Sequence, residues 1–264
     1  MEVNLERPYY QDTGRRPFLF YAAIGARTEE LHVSRTRHRI EEMPEGLGLS
    51  GLRRPGHDSY MDELLGGALG KLLDEQNHAL YERARAAQSW LVVYGEVRKD
   101  DTLDYLRNAV GFVQAAAETG AEAILDVQTL ELYSPEAWKE KVFSFRFHPY
   151  CHINAMISPE PAGTLWLHTR GMRKFGRPDI SLEGVSQGAM DQAKAVVDQM
   201  ISLSVQGAVF NGPVRLSLDP GETCAVRPRL TGDLEDPDYN NEHYSLRWED
   251  CIFEAKQNKE DSIC

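Results

Sequence analysis

Residues 90–127 read WLVVYGEVRKDDTLDYLRNAVGFVQAAAETGAEAILDV. Trp90–Val97 is rich in β-branched and aromatic side chains, which predicts a buried strand. Thr102 then opens a helical pattern with Leu103, Leu106, Val110 and Val113 on one face, and Gly120 supplies its C-terminal stop. Ala121–Val127 returns to strand. Strand, helix and strand in this order make a βαβ unit with a right-handed crossover.

Upstream, Phe18–Ile24 is apolar enough for a strand, and His32–Ile40 predicts a second strand or an extended edge. Met43–His57 is rich in Gly and Pro and predicts a loop. Asp58 and Ser59 offer N-caps to one long helix reaching Gln88, weakened by Gly66, Gly67 and Gly70. Downstream, Ser134-Pro135-Glu136 starts a short helix running to Phe143. Tyr150–Ile157 and Thr164–Arg170 predict a hairpin about the turn SPEPAG. Ser186 caps a helix through Val205, and Ala208–Phe210, Val214–Leu218, Cys224–Leu230 and His243–Trp248 are strand candidates. The segment from Cys251 to the end is expected to fray.

The fold class expected is α+β: mixed, mostly antiparallel sheets with helices on one face, ferredoxin-like or built from two duplicated α/β blocks. Three parts follow: strands and a long helix in residues 1–89, an α/β core in 90–232 with blocks at 90–145 and 146–220, and an acidic aromatic tail in 233–264 packing on that core.

The chain has 264 residues, 42% hydrophobic and 27% charged, values that exclude a disordered chain, a collagen-like repeat and a disulfide scaffold. No apolar run approaches a membrane span, and the N-terminal stretch has no apolar leader core. The net charge of −12 argues against a nucleic-acid partner, which needs a positive footprint. Ten acids against three bases in residues 233–264 put −7 there and leave −5 for the rest. Four cysteines without a C-x-x-C pair predict free thiols in a reducing cytoplasm, with a Cys151–Cys224 or similar disulfide as the alternative.

Residues 166–179, WLHTRGMRKFGRPD, reverse the sign of the chain locally. His168, Arg170, Arg173, Lys174 and Arg177 can form an anion site, since guanidinium forks and glycine-exposed N–H groups suit a carboxylate or phosphate. The alternative is that these bases pair with the acidic tail. His148, Cys151, His152 and His168 form a His/Cys-rich neighbourhood, but Cys151 and His152 on a strand point to opposite faces, so no metal site is expected. Glu96 and Asp126, at the strand ends of the βαβ unit, offer either an acid/base pair or helix caps. Nucleophile-elbow, P-loop, HExxH and dinucleotide-binding motifs are absent from the sequence, and no cofactor is expected. Tyr239, Tyr244, Trp248 and Phe253, set among acids, can dock on a partner or on the chain's own core, with Trp248 expected to be buried.

Three stretches carry a resemblance: residues 90–138, LWLHTRGMRKFGRPDI at 165–180, and VQGAVFNGPVRLSL at 205–218. Together they resemble a bacterial family of domains of unknown function, over about residues 90–220. The resemblance implies a cytoplasmic bacterial protein and no particular chemistry. The function expected is a non-enzymatic interaction protein, immunity-like in one version, recognising a protein partner or itself. The alternative is an enzyme or sensor for a small anion at residues 168–179.

Overall fold

The computed structural model describes residues 5–144, 148–218, 221–236 and 238–255. They fall into two compact units, Met1–Arg7, Asp12–Ile153 and Arg173–Gly176 in the first, and Pro8–Gln11, Asn154–Met172 and Arg177–Cys264 in the second.

The first unit contains β1 (Phe18–Ile24), α1 (Arg35–His38), β2 (Leu47–Arg53), α2 (Asp58–Leu64), α3 (Gly67–Gln76), α4 (His78–Ala86), β3 (Ser89–Glu96), α5 (Asp104–Ala117), β4 (Ala123–Asp126), β5 (Glu131–Tyr133) and α6 (Pro135–Lys141). Its sheet runs β2-β3-β1-β4-β5 with every pairing antiparallel. The strands of the expected βαβ unit, β3 and β4, are therefore parallel but not neighbours. β1 lies between them, with Ala22 opposite both Val92 and Leu125. FLFYAAI takes the centre because five of its seven residues are buried.

Side chains alternate across this sheet. Ala22, Ile24, Trp90, Val92 and Leu125 pack on Met61, Leu65, Leu73 and Leu80 of the α2–α4 segment. On the opposite face Tyr21 meets Trp138 of α6 edge-on at 5.5 Å. α5 buries twelve of its fourteen residues. Helices thus cover both faces rather than one.

Three local elements differ from the sequence expectation. The long helix of 58–88 is broken in two places: Gly67 adopts φ 59°, and Asn77 leaves helical geometry to cap α4 through Leu80 N at 3.1 Å. His32–Ile40 holds a short helix, capped by Ser34 accepting from Arg37 N, instead of a strand. The glycine-rich loop contains edge strand β2, in register with β3 through Leu49 opposite Val93. Because β1 and β2 share the sheet of β3 and β4, residues 1–89 form no separate part.

The second unit contains β6 (Asn154–Pro159), β7 (Leu165–Arg170), β8 (Asp179–Val185), α7 (Met190–Val205), β9 (Val214–Leu218), β10 (Glu222–Val226), β11 (Arg229–Thr231), β12 (His243–Arg247) and β13 (Ile252–Ala255). One sheet is ordered β11-β12-β8-β7-β6, antiparallel except for β12 on β8. The β6–β7 hairpin falls where SPEPAG placed it. A second sheet is ordered β13-β10-β9. The acidic segment is not a tail laid on a finished core: it supplies β12 to one sheet and β13 to the other. Residues 256–264 lie outside the described residues. The class is α+β with mostly antiparallel sheets.

Candidate functional site

β7 delivers Arg170 at its C-terminal end, a 3-10 turn spans Met172–Phe175, and β8 restarts at Asp179. In the second unit the Asp179 carboxylate accepts from Thr169 Oγ1 at 2.8 Å, Met172 N at 3.2 Å and Asn241 Nδ2 at 2.8 Å. Burial pushes its pKa up to about 6 despite those donors. Arg177 donates to the carbonyls of Gln11 (2.9 Å), Gly207 (2.7 Å) and Ala208 (3.2 Å). Arg170 donates to the Asp238 carbonyl, which joins it to the acidic segment.

In the first unit Lys174 pairs with Asp126 and donates to His152 O at 3.0 Å, and Arg173 lies 4.5 Å over the Phe18 ring. The five residues expected to form one anion cradle divide between the two units. His168, Arg170 and Arg177 belong to the second unit and Arg173 and Lys174 to the first. Arg170, Lys174 and Arg177 donate to carbonyls and a carboxylate of the chain itself, while His168 Nδ1 and Arg170 Nε are buried without a hydrogen bond. Asp126 also accepts from the N–H groups of Gln128 (3.1 Å) and Thr129 (3.3 Å), the capping alternative for this residue. Glu96 is exposed and lies three register positions from Asp126 along β1. His152 is buried in the first unit, which drives its pKa down to about 3 with help from Lys174. Among the described residues no group of three or more His, Cys, Asp or Glu side chains could hold a metal.

The aromatics of residues 239–253 part company. Tyr239 is buried, stacks on His243 at 4.1 Å and meets Trp166 and His168 edge-on at 6.2 and 6.1 Å. Trp166 and His168 stack at 3.8 Å. Burial, aided by Arg170, lowers the His168 pKa and favours the neutral ring. Tyr244, not Trp248, is the deeply buried one, and its hydroxyl accepts from Phe210 N at 3.1 Å. Trp248 and Phe253 are half-buried and pack on each other at 5.2 Å.

Trp248 has a second neighbourhood. It walls a groove in the second unit with Glu160, Thr164, Glu183, Arg247 and Glu249, enclosing about 680 Å³ with its open mouth included. The β6–β7 turn presents Glu160, whose carboxylate is fixed by Thr164 Oγ1 (2.9 Å) and Gly184 N (2.8 Å). β8 presents Glu183. The turn after β12 presents Trp248 and Glu249, and Arg247 approaches Glu249 at 3.7 Å. Three carboxylates against one guanidinium, beside an indole, suit the ammonium or guanidinium end of a Lys or Arg side chain. Nothing in the sequence of a hairpin turn or a strand end marks Glu160 or Glu183 as sharing a groove with Trp248.

No protein-family model, no curated protein and no solved structure matches the chain.

Proposed function

We propose that the chain is a non-enzymatic interaction protein that docks a basic segment of a protein partner, with one Lys or Arg side chain seated in the Trp248 groove. The carrying observation is the groove's composition: Glu160, Glu183 and Glu249 line it together with a half-buried indole. Asp233, Glu235, Asp238 and Asp250, all exposed, extend the same sign over the segment and would steer a basic surface towards it. An immunity-like role is one version of this reading. Cys151, Cys224 and Cys251 are free thiols, which fits a reducing cytoplasm. Among the described residues no helix is long and apolar enough to cross a membrane. In the alternative anion reading of residues 168–179, Lys174 and Arg177 are almost wholly buried on internal partners and so are occupied.

The test is a titration of the full chain with an arginine-rich peptide, following the Trp248 indole resonance by NMR. Trp248→Phe identifies that resonance. A saturable shift that weakens with salt and is lost in Glu183→Lys supports the reading. An indole resonance that stays fixed to millimolar peptide defeats it.

A further inference from the structure

Two thiols adjoin the turn that carries Trp248. The chain leaves β12 at Arg247, passes through one 3-10 turn at Trp248–Asp250 and enters β13 at Ile252. Cys251 closes that turn. Its N–H donates to Trp248 O at 3.1 Å, and its Sγ lies 3.6 Å from Arg247 O. Arg247, Trp248 and Glu249 of the groove are thus tied to Cys251 through the main chain.

On β10, Cys224 lies opposite Phe253, and Phe253 packs on Trp248 at 5.2 Å. Cys251 precedes Phe253 by two residues on the same side of the strand, so Cys224 and Cys251 are diagonal neighbours. Their side chains are within hydrogen-bonding reach of each other, and both are free thiols. Cys224 is buried, whereas Cys251 is only half-buried and open to a small oxidant.

We propose that Cys224 and Cys251 form a peroxide-sensitive dithiol whose oxidation to a disulfide weakens docking at the Trp248 groove. The inference rests on the reading of that groove as a docking site. Hydrogen peroxide is the two-electron oxidant. It converts the Cys251 thiol to a sulfenic acid and leaves as one water. The Cys224 sulfur then displaces the sulfenic oxygen, which departs with the Cys224 proton as a second water, and the S–S bond forms.

The direction of the effect follows from spacing. Diagonal neighbours in a sheet stand about 7–8 Å apart at Cα, while a disulfide accepts about 4.4–6.8 Å. Closing the bond therefore draws residue 251 towards β10, and the Trp248 turn with it. Glu160, which follows β6, and Glu183, on β8, belong to a different sheet from Cys224. The indole and Glu249 are thus pulled out of step with Glu160 and Glu183, and the groove no longer offers one cation all of its partners.

The experiment compares the reduced and the peroxide-treated full chain, following the Trp248 indole resonance by NMR and titrating each with an arginine-rich peptide. Oxidation should shift the indole resonance before any peptide is added. It should also weaken peptide binding about tenfold, and dithiothreitol should reverse both changes. Cys251→Ser should keep the reduced affinity after peroxide, and Cys151→Ser should respond as wild type does. A chain crosslinked between residues 224 and 251 that keeps its indole position and its affinity overturns the proposal. So does a response that survives in Cys251→Ser, or a pair of thiols that stays free in excess peroxide. A reduced chain that binds no peptide defeats the docking reading and the regulation with it, whereas reduced and oxidised chains that bind alike defeat the regulation alone.

Discussion

Lys174 and Asp126 form an ion pair that water does not reach, with side-chain exposures of 0% and 2%. Lys174 stands in the most basic run of the chain and Asp126 ends β4, 48 positions away in sequence. Removing one partner of such a pair strands a buried charge. Lys174→Met is therefore expected to cost about 3–5 kcal/mol in urea unfolding of the full chain. Lys174→Met with Asp126→Asn removes both charges and keeps an oxygen for the Gln128 and Thr129 N–H groups, so the double variant should recover part of the loss. Equal destabilisation by the single and double variants would refute the ion-pair account.

Asp179 gives the fold a pH dependence of unusual sign. Its pKa rises from the ordinary 3.8 to about 6 because burial outweighs its three donors. The folded state thus holds this proton more tightly than the unfolded chain. Between about pH 4 and pH 6 this one group makes stability fall as pH rises, by about 3 kcal/mol in all, whereas a salt-bridged carboxylate does the opposite. Asp179→Asn has no such proton. Relative to wild type, the variant should become more favourable as pH climbs from 4 to 6 and hold that gain above. A stability difference independent of pH over this window rules the assignment out.

Arg177 explains how far the signature run was legible. A cluster of bases in an acidic chain is visible in sequence, and so is the need for partners. The partners are not, because they come from Gln11, Gly207, Ala208, Asp126 and Asp238, which only the fold brings near. Local signals fared better where one residue's chemistry decides: Ser134 caps α6 through Ala137 N, and SPEPAG turns β6 into β7. They failed where pairing decides. β2 forms inside a glycine-rich stretch because β3 offers it an edge, and β1 enters the sheet between two strands that sequence order alone joined. Glu160, Glu183 and Trp248 were invisible as a group for the same reason. Arg177→Lys keeps the charge but offers one ammonium in place of a planar fork, so buried carbonyls lose donors. A cost of about 2–3 kcal/mol in chemical denaturation is expected, against near-neutrality if charge alone matters.

Cys224 and Cys251 sit together in the small sheet. Cys224 faces Phe253 across the β10–β13 pairing, and Cys251 precedes β13 on the same side as Phe253. A hydrogen bond from the Cys251 thiol holds the Cys224 pKa below its ordinary value, favouring the thiolate. Hydrogen peroxide should therefore convert the two thiols to one disulfide and two waters, with the protein losing two hydrogens in mass. Peptide mapping should find residues 224 and 251 joined, and Cys251→Ser should abolish the crosslink. Oxidation that joins Cys151 to Cys224 instead would favour the other pairing that the sequence allows.

Gly111 is where α1 meets α5. A Cβ at this position would stand 2.2 Å from His38 O and 2.6 Å from Ile40 Cγ1, closer than any relaxed contact. His38 and Ile40 are both buried, so neither the carbonyl nor the side chain can swing into water. Gly111→Ala must therefore push the α1 turn off α5. In an exposed helix the same change would stabilise by up to about 1 kcal/mol, since alanine is the better helix former. Here overpacking wins, and a net loss of about 1–3 kcal/mol is expected in urea unfolding. The displacement should also reach Arg39, which follows His38 directly and lies over Phe143. The Phe143 ring resonances should shift in Gly111→Ala even though the substitution does not touch that ring. A stabilised variant with Phe143 unmoved would mean that α1 yields without strain and does not set the position of Arg39.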